Sequence, residues 1–295
     1  MLRDARLARL ITGGIVALGI QVGSDRAQAQ SPLQILDAVR FELTTVDDSA
    51  AYYVYRYRVV NPASSRGGVA GVELDLSAPR GTGHDVLPFT PSLGPGRRDV
   101  PDHVPFGAIA PERWGVLVDY RARVVWYVSQ VLLSDTTAPV SFDSVSAGGE
   151  RAGFAVRSPY LPGVRQFSSF PTEQSCCTKP NDQGELPNSF LFRVKGFTVA
   201  ATIRPQDMSL DLLDDDIQQA CGTLHWVSER ALCGQLRVGL ARASAALKHN
   251  DRAGAKDALR AFLAELEPQH GSGNLVNDNA YWLLKVNAEY LLAHM

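Results

Sequence analysis

The chain has 295 residues, 45% of them hydrophobic and 20% charged, with a formal net charge of -2. That length accommodates a leader and roughly two domains, with enough apolar residues to bury a sizeable core. The near-neutral balance, with arginines scattered singly or in pairs, excludes the basic field that nucleic-acid binding requires.

The N-terminus reads as an export signal. Arg3, Arg6 and Arg9 precede an apolar run from Leu10 to Ile20, and Ala27-Gln28-Ala29 supplies a small-x-small cleavage site. Residues 1–29 are therefore expected to be removed as a signal peptide. The run is too short to span a bilayer, and no cysteine lies beside the cleavage site to carry a lipid. No later stretch is apolar for long enough to predict a membrane span. The mature chain is expected in the periplasm or outside the cell.

Val39 to Val46 alternates as a first strand, and Asp47-Asp48-Ser49 is a polar break. Ala51 to Val60 follows as the clearest strand. It sets Tyr53, Tyr55, Tyr57 and Val59 on one face, and Arg56 and Arg58 on the other, because side chains alternate along a strand. Residues 61–68, rich in Pro, Ser and Gly, predict a turn. Val69 to Ser77 resumes the period, so the three strands are expected to form an antiparallel meander. Residues 78–112, rich in Pro and Gly, read as a long surface loop with room for one short strand around Val86 to Phe89, and Trp114 to Ser129 as either one long strand or, in preference, a hairpin turning near 120–122. Val140 to Val145 and Gly153 to Arg157 are further strands, and Ser158 to Gly163 a break. Residues 167–187 read as a loop. Phe190 to Ile203 completes the β part.

After Arg204-Pro205 the apolar period changes from two to 3.6. Leu210 to Ala220 reads as a short acidic helix. Ser228 is a candidate N-cap for a second, with Leu232, Leu236, Leu240, Ala243 and Leu247 in its stripe. Asp251 is placed to cap a third, and Asn279 to the C-terminus forms the last. The expected architecture is an antiparallel β-sandwich over residues 31–206, followed by a small all-α hairpin or bundle over 207–295.

Two segments carry resemblances. Trp114 through Trp126, Gly148-Gly149-Glu150-Arg151-Ala152-Gly153-Phe154, Ser158-Pro159 and Leu161-Pro162-Gly163 together resemble exported bacterial β-sandwich domains. That resemblance implies an immunoglobulin-like sandwich, a scaffold that hosts many functions, and carries over no catalytic residue. The segments Ala246 to Leu266 and Asn279 to Leu292 resemble the small FIMAH-like helical module of secreted bacterial proteins. This second likeness implies an exported, multidomain context.

In an oxidising compartment Cys176, Cys177, Cys221 and Cys233 are disulfide candidates before they are metal ligands. A Cys221–Cys233 bridge would join two short helical pieces across about a dozen residues. Cys176 and Cys177 are adjacent, a strained pairing, so they alternatively cross to the helical region. A zinc site is the third reading, and the chain lacks the paired C-x-x-C spacing it favours.

His84-Asp85, Asp99 and Asp102-His103 are the candidates for a metal or acid–base site, if the 84–103 loop folds back on itself. The acidic run Asp211 to Asp216 lacks the spacing of a calcium loop and suits the first turn of a helix. The tyrosines of the central strand offer either a sugar-stacking platform or core aromatics. With no catalytic constellation and no cofactor motif, the expected function is non-enzymatic binding, adhesion or envelope scaffolding. The expected partner is an extracytoplasmic protein or a glycan. The alternative is an extracytoplasmic hydrolase using the 84–103 loop.

Overall fold

A computed structural model describes residues 35–49, 52–77, 107–118, 123–128, 143–172, 192–271 and 275–295. The expected signal peptide (residues 1–29), the 84–103 loop with both its histidines, and the Cys176-Cys177 pair lie outside the described residues.

Nine strands and four α-helices are present among the described residues. In chain order the strands are β1 (Arg40–Ser49), β2 (Tyr52–Val60), β3 (Val69–Asp75), β4 (Gly107–Ile109), β5 (Trp114–Val118), β6 (Arg123–Val128), β7 (Glu150–Ser158), β8 (Leu161–Pro171) and β9 (Val194–Ile203). They form two antiparallel sheets, ordered β1-β2-β7-β4 and β5-β6-β3-β8-β9. The helices follow: α1 (Leu210–Cys221), α2 (Arg230–Lys248), α3 (Arg252–Leu266) and α4 (Asp278–His294). Strands thus give way to helices between Ile203 and Leu210, where the period changes.

The tyrosine-rich strand behaves as its alternation requires. Tyr55, Tyr57 and Val59 are fully buried, while Arg56 is exposed and Arg58 half-buried. The sugar-platform reading of that stripe therefore fails, because these rings are core. Phe41 stacks on Tyr57 with centroids 4.6 Å apart, and Trp126 of the other sheet lies 5.5 Å from Phe41. Phe154 meets Trp126 edge-on at 5.8 Å. Offset and edge contacts of this kind suit the ring quadrupole. The inner faces of the two sheets meet through this cluster.

Three expectations need correction. The meander does not continue into β3, which joins the second sheet, while β2 takes β7 as its other neighbour. The 61–68 turn carries the chain across, held by Asn61 Nδ2 donating to Gly67 O and Val145 O at 2.9 and 2.8 Å. The break expected over residues 158–163 is present but short, confined to Pro159 and Tyr160 between β7 and β8; Pro162 and Gly163 already belong to β8, and no loop begins at Phe167, which lies in the same strand. A register irregularity falls between Leu161 and Pro162, so the missing Pro N–H is tolerated at the strand's start. Within the supposed 78–112 loop, Gly107–Ile109 pairs with β7 as β4.

The helix caps are partly as expected. Asp251 accepts from Gly254 N at 2.8 Å and caps α3. Ser228 does not cap α2; Glu229 holds that position, and the Ser228 hydroxyl instead donates to Leu275 O at 3.2 Å. Leu232, Leu236, Leu240 and Ala243 form the buried stripe of α2, as their spacing requires. The last helix is buried on nearly every side, including Asn279 and Asn287.

Those two asparagines explain how α4 joins the sheets. Asn279 Oδ1 accepts from Leu43 N of β1 at 2.9 Å and from Thr198 Oγ1 of β9 at 3.3 Å. One amide therefore ties an edge strand of each sheet. Trp282 donates Nε1 to Thr44 O at 2.8 Å, at the bulge between Leu43 and Thr45. Asn287 donates to Pro162 O at 3.1 Å and to Asp216 of α1 at 2.9 Å. Bulges strip backbone groups of ladder partners, and buried groups must find others. Here α4 supplies them. The hydrophobic core runs from Phe41 and Trp126 through Leu213 and Leu236 to Leu283 and Leu291 without a break, and residues 34–295 form one compact unit.

Candidate functional site

A cleft of about 560 Å³ opens where the edges β1 and β9 approach beneath the N-terminal turn of α4. Its volume falls within the ordinary range for small-ligand sites, roughly 300–1,000 Å³. Two other grooves among the described residues, of about 610 and 500 Å³, lie along the helices; the first is lined by Asp211 and Lys248, the second by Asp211, Asp214 and Arg237.

The walls of the cleft come from distant parts of the chain. Arg40 and Glu42 project from β1, and Arg58 from β2. Asp278 is the first residue of α4, whose N-cap Asn277 accepts from Ala280 N at 2.9 Å. A carboxylate there complements the helix dipole. His270 is the C-cap of the 3-10 turn Glu267–Gln269. It stacks flat on Tyr281 with ring centroids 3.9 Å apart, and its Nε2 lies 2.8 Å from Asp278 Oδ1.

These five side chains form one connected row. Arg40 Nε donates to Glu42 at 2.7 Å, Arg58 Nε to the same carboxylate at 2.8 Å, and Arg58 Nη2 to Asp278 at 3.5 Å. The bond to Glu42 raises the Arg58 pKa further, against partial desolvation, so the guanidinium stays charged. Behind His270, Lys285 and Tyr281 both donate to Glu267, which holds that carboxyl below its usual range. The imidazole thus rests on a ring that is itself tethered.

The rest of the lining is mainly apolar. Phe197 of β9 is 50% exposed, an unusual degree for so large a ring. Its neighbour Gly196 faces Phe167, whose ring would lie 2.6 Å from an added Cβ, so any larger residue there would force the ring to shift. Leu224, His225 and Trp226 close the far side from the α1–α2 connection. His225 sits at φ 51° in the left-handed region, an uncommon conformation for a non-glycine residue.

That connection is clamped. Cys221 and Cys233, 12 positions apart, form one of the disulfides that the sequence leaves open, joining the end of α1 to the first turns of α2. Asn277 N donates to Trp226 O at 3.0 Å and Ser228 N to Leu275 O at 2.8 Å, so the loop is also zipped to the segment entering α4. Replacing both Cys221 and Cys233 by Ser should lower stability by about 3 kcal/mol through the freed unfolded chain. Urea unfolding measures this directly. An unchanged midpoint would mean that the loop is held by its backbone bonds alone.

The acidic run of residues 211–216 divides as a helix requires. Ser209 Oγ caps α1 by accepting from Leu212 N at 3.2 Å, and Asp211 lies in the first turn. Asp214 meets Arg237 at 3.3 Å. Asp216 is buried beside Asn287, and desolvation pushes its pKa up to about 8, against the lowering effect of the Asn287 bond. No cluster of potential metal ligands occurs among the described residues, and no described helix is long and apolar enough to cross a membrane.

None of the cleft residues was singled out by the sequence as a candidate site. Arg58 and Asp278 are 220 positions apart, and no local motif links them. The one available signal is Asn277-Asp278-Asn279 before an apolar helix, a capping signature that marks the helix start and says nothing of a cleft. Comparison with protein-family models, curated proteins and solved structures finds no match.

Proposed function

We propose that this chain is an exported, non-catalytic binding protein. On this reading an immunoglobulin-like sandwich and a C-terminal helical module together hold a small ligand in the cleft beneath α4. The observation that carries the reading is the connected row from Arg40 to His270. Its donors and acceptors are fixed by one another before any ligand arrives, so binding orders few side chains. Preorganisation of this kind raises affinity by reducing the conformational entropy lost on association. The export signal and the oxidised Cys221–Cys233 pair both fit an extracytoplasmic setting.

The rival reading, a hydrolase built on His84 and His103, concerns residues outside those described. Screening the mature chain by thermal shift against a chemically mixed library of sugars, short peptides and small metabolites tests the binding reading. At least one compound is expected to raise the melting temperature of wild type and not that of Phe197→Ala. Hits that shift both proteins equally would place binding elsewhere and overturn the cleft as the site.

A further inference from the structure

We infer that the ligand of this cleft is a neutral saccharide, an inference that rests on the binding reading above. Charge argues first. Leaving its two histidines aside, the charged side chains lining the cleft are Arg40 and Arg58 against Glu42 and Asp278, two of each sign, so these four balance. Glu150 adds a third carboxylate 4.0 Å from Arg58. An anionic ligand finds its guanidinium already neutralised, and a cationic ligand finds both carboxylates engaged. Neither charged class gains the unopposed partner that would offset its desolvation.

The pattern of the row argues second. Along it, guanidinium donors alternate with carboxylate acceptors, and each keeps capacity that its neighbours do not use. Arginine carries five N–H donors, and a carboxylate has about four lone-pair positions. The partner that matches an alternating row is one whose every group both donates and accepts. A run of hydroxyls on adjacent carbons does this, and charge-assisted hydrogen bonds to such groups are the strong ones. A hydrocarbon ligand would leave the row unpaired.

The rim argues third. Phe197 offers a half-exposed ring on the edge strand β9, in the lining of the same cleft as the polar row. Aromatic rings carry a negative face, which attracts the weakly positive C–H groups on one side of a sugar ring while the hydroxyls point away. One stacking face with a row of paired charges is the arrangement a saccharide needs. The cleft volume of about 560 Å³ leaves room for more than a single sugar ring.

The test uses the mature full-length chain on an array carrying neutral, sialylated and sulfated glycans, with a short neutral peptide set on the same surface. The variants Phe197→Ala and Asp278→Asn are run beside wild type, each with its melting temperature measured. Phe197 is largely exposed, so its truncation leaves the core intact and the fold readable. Neutral glycans are expected to bind, with at least a tenfold loss in Phe197→Ala and in Asp278→Asn. Binding confined to sialylated or sulfated glycans would overturn the saccharide's neutrality and so the inference. Neutral-glycan binding unaffected by Phe197→Ala would overturn it as well. Peptide binding that depends on Phe197, without glycan binding, would sink the saccharide while keeping the cleft. If no probe binds, both readings fall.

Discussion

Removal of α4, by ending the chain after Gln269, should abolish cooperative folding of the two sheets. The helix contributes Leu283, Leu284, Val286 and Leu291 to the shared core, each buried. At roughly 2 kcal/mol for each such side chain, their burial is worth on the order of 8 kcal/mol, which rivals the whole stability of a typical domain. The truncation also leaves Leu43 N, Thr44 O and Pro162 O without the partners that α4 provides. A finer version is Asn279→Ala. That change strands the buried Leu43 N–H and the Thr198 hydroxyl, at about 1–3 kcal/mol for each unsatisfied group. Urea unfolding followed by tryptophan fluorescence reads both. A truncated chain that unfolds cooperatively at the wild-type midpoint would show that the sheets stand alone.

Stability should fall as pH rises from about 4 to about 8, and Asp216 should be the main cause. Burial pushes its pKa up to about 8 from a usual 3.8. The folded state therefore keeps a proton that the unfolded chain gives up, and each pH unit in that window costs about 1.4 kcal/mol. At neutral pH the accumulated loss is on the order of 4 kcal/mol, and above about 8 it stops growing. The full stability contribution is present at acidic pH. The facing groups are Asn287 on α4, which donates to the carboxyl, and Asp215 on α1 itself. Asp216→Asn keeps the shape and carries no charge at any pH. The variant should melt well above wild type at pH 8 and close to it at pH 4. Parallel melting curves across that range would mean that water reaches the carboxylate and the shift is absent.

Much of the architecture was legible because periodicity survives in single elements. The tyrosine strand announced its buried face, and the α2 stripe its apolar side, through spacing alone. The Cys221–Cys233 bridge is one of the pairings that the sequence leaves open, and the structure selects it. What was not legible has a common physical origin, which is partnership between elements far apart in sequence. Nothing in the stretch from Tyr52 to Val60 says that β7 rather than β3 lies beside it. Pro162-Gly163 looks like a break until a bulge makes room for both. Asn287 draws no attention in the sequence and Asp216 is only part of an acidic run, because an apolar stripe does not reveal which polar residues face inward to serve a bulge. The cleft is the extreme case. Glu42, Arg58, His270 and Asp278 are unremarkable in their own segments, and only the meeting of two sheet edges with the last helix puts them in one row.

Native-state hydrogen exchange on β1, β9 and α4 tests most directly whether sheets and helices stand as one unit with the cleft at their junction. The slowest amides of all three elements are expected to exchange with one shared free energy of opening, equal to that of global unfolding. Asp216→Asn should move all of them together. A separate, lower opening energy for the helices, with β1 and β9 still protected, would contradict a common core and leave the cleft without a fixed wall.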